Sequence, residues 1–375
     1  MRRFIPVCEP YFCGNEKKYL KECIDSGWIS STGGFIQKFE KGFAKFCRAS
    51  YGITTTSGTT ALHLALLAIG IKKGDEVIIP DFTMVSTLFA LFYCQAKPVL
   101  VDVEKNTGNI NVEKIEERIT KKTKAIIPVH IYGHPVDMDP ILALAEKYNL
   151  FVIEDAAEAH GAEYKGRKCG GLSSLACFSF YPNKIITCGE GGMVITNNKK
   201  LADGCRYFKN LCFPPSGKRS YIHKNLGYNY RMTNMQAAVG LAQLEKIKTL
   251  VAKRRKNAHL YNKFLKGIPG LKLPIEKDYA KNVYWMYSIV VEPKAFGKTR
   301  NRLAKILKSK GIDSRNFFQP MHSQPFLAKM GIFDKGRYPI SQYLAKNGLY
   351  LPSGSGLSEK EIKYISETIK NIQKE

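Results

Sequence analysis

A chain of 375 residues with 44% hydrophobic and 24% charged side chains carries enough apolar material for a large domain plus a smaller one, which excludes a disordered chain. Its formal net charge of +26 is mostly lysine spread along the whole length, and the one dense cluster, K-R-R-K at 253–256, falls on a predicted helix. No helix-turn-helix, zinc-finger or RNP-like pattern accompanies it, so nucleic-acid binding is disfavoured; the surplus suits attraction of anionic substrates such as nucleotide diphosphates, and a lysine-biased genome explains it equally well.

The ten cysteines show no C-x-x-C pair and no Cys/His spacing, which argues against a metal site and for free thiols in a reducing, cytoplasmic setting. The most apolar stretch, 61–71, contains His63 and is too short to cross a bilayer. Pro6 and Glu9 stand where a signal peptide needs its apolar region.

Along the chain, S-G-T-T-A-L-H-L-A-L-L-A-I-G (57–70) is a small hydroxylated turn opening an apolar helix. A helix start offers unpaired N–H groups and a positive dipole end, which suit a phosphate. Gly58 allows close approach, and Thr59 and Thr60 add hydroxyls; the same turn is also explained by capping alone, with Ser57 as N-cap. The runs 77–80, 98–103, 125–130 and 151–155 are predicted strands, and 83–94, 113–119 and 139–148 are predicted helices between them. That alternation predicts right-handed βαβ units and a largely parallel sheet. Strands at 176–180 and 193–196 follow with no helix between them, adding antiparallel content.

The strand F-V-I-E-D ends in Asp155, with Glu158 three residues on and His160 beyond, the last better suited to packing than to ligating a metal. Lys184 closes S-F-Y-P-N-K, followed by C-G-E-G-G. A buried amine condenses with an aldehyde, and a carboxylate keeps a pyridine nitrogen protonated, so this pair suits pyridoxal phosphate; an Asp and a Lys near strand ends are also common as solvated groups. G-Y-N-Y-R-M-T (227–233) sets Asn229 and Arg231 before one long predicted helix, 234–264. A strand at 284–291 and helices at 299–310 and 358–373 follow. The expected division is a large domain, 1–245, and a small one, 246–375.

In their order and spacing these segments resemble the DegT/DnrJ/EryC1/StrS aminotransferases, enzymes that use pyridoxal phosphate to aminate keto-sugars carried on nucleotides. The resemblance runs from G-W-I-S-S-T-G (27–33) through S-G-T-T-A-L, P-D-F-T (80–83), E-D-A-A-E-A-H-G-A, S-F-Y-P-N-K and G-Y-N-Y-R-M-T. It implies the α/β fold type I of aspartate aminotransferase, with a mixed, mostly parallel sheet and a small C-terminal α/β domain. It also implies a homodimer with shared active sites and glutamate as amino donor.

By the same resemblance Lys184 holds the coenzyme and then moves the proton, Asp155 meets the pyridine nitrogen, and Glu158 stands beside the ring oxygen. Gly58, Thr59 and Ser179 hold the phosphate with Thr60 beside them, and Asn229 comes from a second subunit. Met84 occupies a position where an aromatic often stacks on the ring. Trp28, Ser30, Tyr181, Arg231, Arg315, Phe317 and His322 are the candidate substrate contacts. Lysine rather than histidine at 184 argues against the dehydrating branch.

Residues 183–193, 227–238 and 313–322 are most similar to the branch that aminates C4 of GDP-4-keto-6-deoxymannose to give GDP-perosamine. A UDP- or dTDP-linked 4-keto-6-deoxyglucose is the alternative substrate.

Overall fold

The computed structural model describes residues 4–214, 221–332 and 336–374. Seven strands form the central sheet: β1 Tyr51–Thr55, β2 Glu76–Pro80, β3 Lys97–Val101, β4 Thr123–Ile126, β5 Phe151–Asp155, β6 Leu175–Ser179 and β7 Gly192–Thr196. Their spatial order is β1-β7-β6-β5-β4-β2-β3. The pairs from β3 through β6 are parallel, while β7 runs antiparallel to both β6 and β1. β2, β6 and β7 are buried at every position, as apolar runs covered on both faces should be.

The expected α/β layer is therefore present, with the antiparallel strand where the helix-free connection puts it. Differences lie at the edges of elements. The strand expected at 125–130 is regular only over Thr123–Ile126; Pro128 has no N–H to donate, and beyond it Val129 makes a single parallel bridge to Asp155. The helix expected at 113–119 is two single 3₁₀ turns, Val112–Lys114 and Glu116–Arg118, too short a segment to pay nucleation of an α-helix. The helix expected at 83–94 begins later, as α4 Ser86–Tyr93, leaving 83–85 at the sheet edge.

Helices α1 Glu16–Ser26, α2 Gly34–Phe46 and α3 Gly58–Ala68 precede α4, and α5 Met138–Tyr148 and α6 Lys199–Lys209 follow it. The long helix expected at 234–264 is two: α7 Asn234–Glu245 and α8 Ile247–Leu265, broken at Lys246 (φ −104°, ψ 2°). The halves serve different neighbours. α7 packs on α1 and α2, where Gly240 lets the Phe39 ring so close that a Cβ would sit 2.7 Å from it. α8 packs on the terminal helix Glu359–Lys374.

A second, antiparallel sheet pairs Leu271–Lys272, Tyr287–Val291, Gly348–Leu351 and Arg315–Asn316 in that spatial order. Its core joins Tyr261 and Leu265 of α8 to Ile289, Leu303, Leu349 and Ile365, and Ile5 of the N-terminal segment enters the same cluster. Among the described residues, no helix is long and apolar enough to cross a membrane.

Arg254 of α8 ties these parts together. It is only 2% exposed and donates to the carbonyls of Trp285 and Ser353 at 2.9 Å, to Ser355 Oγ at 3.1 Å and to Cys8 Sγ at 3.1 Å. A buried guanidinium survives only when its donors are met in this way. Arg254→Met should lower the unfolding free energy by about 3 kcal/mol, since two carbonyls and a hydroxyl lose their donor. A fall in the denaturant midpoint at unchanged slope is the expected reading.

Candidate active site

A cavity of ≈ 260 Å³ opens at the C-terminal edge of the central sheet, where open α/β sheets present their ligands. The start of α3 supplies Gly58 and Thr59, the end of β5 supplies Asp155 and Glu158, and the end of β6 supplies Ser179. Tyr181 and Lys184 come from the turn after β6, while Trp285 and Phe318 reach in from the second sheet's side.

The turn that carries Lys184 is pinned at several points. Lys184 N–H donates to the Tyr181 carbonyl at 2.9 Å, and the Phe180 carbonyl accepts from Thr187 Oγ1 at 2.9 Å and from Cys188 N at 3.1 Å. The Phe180 ring is buried against Phe39 and Phe43, so an aromatic core anchors one end of the turn. Lys184 itself is half-buried, with its amine directed inward: Nζ lies 3.7 Å from the centroid of the Trp285 ring.

Three ionisable groups share this space. Asp155 is buried at the tip of β5, its Oδ2 accepting from Thr87 Oγ1 at 2.8 Å and its Oδ1 from Ala157 N at 3.2 Å. Burial raises its pKa, and those two donors and the Lys184 charge oppose the rise. Glu158 Oε2 accepts from Tyr132 N at 2.6 Å. Burial pushes Glu158 up to about 7, against the pull of the Lys184 charge. Burial likewise lowers the amine of Lys184, against both carboxylates. Burial thus acts against the charge on all three groups, and their mutual attraction acts against burial, the kind of environment in which acid–base residues are found.

The opposite wall fits a phosphate. Ser57 caps α3 by accepting from Thr60 N at 3.2 Å, and Thr60 Oγ1 accepts from Ser57 N at 2.9 Å. Thr60 is consumed in this reciprocal cap and does not line the cavity. The amides of Gly58 and Thr59 remain at the open helix end. Gly58 meets Ser179 closely enough that a Cβ would lie 2.7 Å from Ser179 Cβ, so the cradle requires glycine. With a shielded carboxylate, an inward amine and an open helix end around one cavity, the residues fit pyridoxal phosphate.

The other sequence candidates divide. Tyr181 (48% exposed) and Met84 (47% exposed) line the cavity mouth. Asn229 and Arg231 do not: Arg231 Nε donates to Asn229 Oδ1 and Nη1 to Asn210 Oδ1, each at 2.9 Å, beside a separate hollow shared with Ser30. Trp28 is exposed, and its carbonyl and that of Ser30 accept from Asn234. Arg315 is an exposed edge-strand residue paired with Asp313. Phe317 turns into the core against Phe82, Tyr132 and Tyr350, and its neighbour Phe318 faces the cavity instead, as alternation along an extended segment dictates. His322 Nδ1 lies 2.8 Å from Asp81 Oδ2 and its ring stacks on Tyr338, so it clasps the second-sheet side to the end of β2.

Sequence reasoning missed Thr87, Tyr132, Trp285 and Phe318. Trp285 lay within a predicted strand, and being one of two tryptophans was its only signal. His160 packs among Phe43, Phe178 and Phe180, its imidazole lowered to about 3 by burial. His130, Glu154 and Cys169 also cluster, but Glu154 already accepts from Gly170 N, Leu172 N and Ser173 Oγ besides facing His130 Nε2.

The raised Glu158 gives a pH signature. A carboxyl whose folded pKa exceeds its unfolded one binds more protons in the folded state between the two values, so its contribution is complete below the unfolded pKa and lost as pH rises through about 7. Coenzyme-free protein should therefore lose stability between about pH 4.5 and 7. Glu158→Gln should flatten that slope by about 1–2 kcal/mol over the interval, measured by denaturant titration at each pH.

With the geometry in view, the comparisons with known proteins agree on one family. The model of the DegT/DnrJ/EryC1/StrS aminotransferase family matches residues 12–370. The GDP-perosamine synthase of Escherichia coli O157:H7 is 44% identical over 367 residues, covering 98% of each chain. That of Caulobacter vibrioides is 44% identical over 369 residues, also covering 98% of each. Among solved structures, DesV of S. venezuelae superposes with a TM-score of 0.91 at 31% identity over the full length of both chains. The chain belongs to the DegT/DnrJ/EryC1/StrS aminotransferase family.

Proposed function

We propose that this protein transfers the amino group of glutamate to C4 of GDP-4-keto-6-deoxymannose, giving GDP-perosamine. The observation that carries the reaction is the inward amine of Lys184 facing Asp155 and Glu158 across one cavity. The choice of sugar rests on the perosamine synthases at 44% identity over nearly the whole chain.

Pyridoxal phosphate, when bound, supplies an aldehyde for the amine and a ring that accepts the electron pair left when a substrate carbon loses its proton. Asp155, fixed by Thr87 and Ala157, would keep the ring nitrogen protonated. Glu158, held by the Tyr132 amide, would sit by the ring oxygen, while Gly58, Thr59 and Ser179 would take the phosphate. Lys184, whose ammonium form burial disfavours, would accept the proton from the substrate carbon and return it to the carbon on the far side of the transferred nitrogen.

Asn229 and Arg231 support a homodimeric reading. Arg231 stands with Ser30, Arg206 and Lys209 around a basic hollow apart from the protomer's own cavity, and Asn229 is hydrogen-bonded to it, so the two would serve a partner's anionic ligand. The same positive hollow suits the pyrophosphate of a nucleotide sugar.

Two measurements test the proposal. Lys184→Ala should lower turnover by more than about a thousandfold. Offered GDP-, UDP- and dTDP-linked 4-keto-6-deoxy sugars with glutamate, the protein should add nitrogen to the GDP sugar, read by mass. Amination of a UDP- or dTDP-linked 4-keto-6-deoxyglucose instead would replace the substrate and keep the reaction.

A further inference from the structure

Residues 283–286, leading into the second sheet's strand Tyr287–Val291, press against the turn that bears Lys184. Trp285 is 4% exposed, and its Nε1 donates to the Asn183 carbonyl at 2.8 Å, the residue just before Lys184. Its ring face lies 3.7 Å from Lys184 Nζ. The indole is itself held from both sides: its backbone N–H donates to the Tyr132 carbonyl at 2.9 Å, and its carbonyl accepts from Arg254 at 2.9 Å. Val283 N donates to the Gly133 carbonyl at 3.1 Å, completing the seam. Within this seam Tyr132 (φ 55°) and Tyr284 (φ 49°) adopt left-handed backbone, which bulky side chains take only when their surroundings impose it.

We propose that Trp285 is a catalytic-site residue that holds the Lys184 amine whenever it is free, its ring face taking the ammonium and its indole N–H fixing the Asn183 carbonyl. The proposal rests on Lys184 being the reacting amine.

A lysine side chain on four rotatable bonds needs a defined resting place if its proton is to be delivered to one atom. The groups that face this amine are Asp155, Glu158, Cys8 and the buried His160. Either carboxylate attracts the ammonium, but each is already committed, to Thr87 and Ala157 or to Tyr132. An indole face attracts a cation and has no site for its proton. It therefore positions the amine without competing for what the amine carries.

The test uses coenzyme-free protein and competitive acetylation by acetic anhydride, with Lys184 followed by peptide mapping across pH. Removing the ring face should lower the labelling midpoint of Lys184 by about one pH unit in Trp285→Leu. Trp285→Phe, which keeps a weaker face and loses the N–H, should shift it by about half as much and carries the test should the leucine variant not fold. In loaded enzyme, Trp285→Leu should lose about tenfold in kcat with KM for the keto-sugar within about twofold. An unchanged Lys184 midpoint in a variant with native circular dichroism would overturn the proposal. The midpoint shift stands as support even where no keto-sugar is aminated, an outcome that counts against the proposed function alone.

Discussion

An amine and two carboxylates taken out of water together are tolerated only when each answers the others or a fixed hydrogen bond. Lys184, Asp155 and Glu158 meet that condition, and much of the surrounding fold can be understood as supplying it. Parallel strands bring the two acids to one sheet edge. The Thr87 hydroxyl and the amides of Ala157 and Tyr132 hold their oxygens. An aromatic cluster around Phe180 fixes the turn that returns the lysine to them. Without the charges the arrangement would be an ordinary α/β core; without the core the charges would be solvated and unreactive.

The same reasoning explains why the cavity has contributors from both sheets. The central sheet supplies groups that act on charge, and the second-sheet side supplies apolar faces, Trp285 and Phe318. Excluding water from one side strengthens every electrostatic contact on the other. Arg254 and the Asp81–His322 pair then set how the two sides are held, one from behind the indole and one at the end of β2.

Much of this was legible in the sequence, and the reason is local. The strand ending in Asp155 is a continuous apolar run stopped by a carboxylate, and the start of α3 announces its cap three residues ahead through Ser57 and Thr60. What was not legible depends on tertiary direction. Phe317 and Phe318 are adjacent and both touch Phe82 and Tyr350, yet only Phe318 lines the cavity, a choice set by how the backbone presents the segment. The helical pattern runs unbroken through Lys246, and the break there reflects two different packing partners rather than any local signal. Thr60 and His322 look like ligand donors in a string of letters because their true partners, Ser57 and Asp81, are also polar.

The antiparallel strand β7 carries a consequence for how the molecule is assembled. Among the described residues β1 has no ladder partner other than β7, so residues 51–55 cannot take their place in the sheet until 192–196 exist. Gly58 rests on Ser179, which borders β7 in turn. On a ribosome, then, the cavity wall formed by Gly58 and Ser179 is completed only after more than half of the 375 residues have emerged, and the earlier helices wait on a long-range closure of the kind that slows folding. Lys184 thus leaves the ribosome before the strand that closes the wall facing it across the cavity.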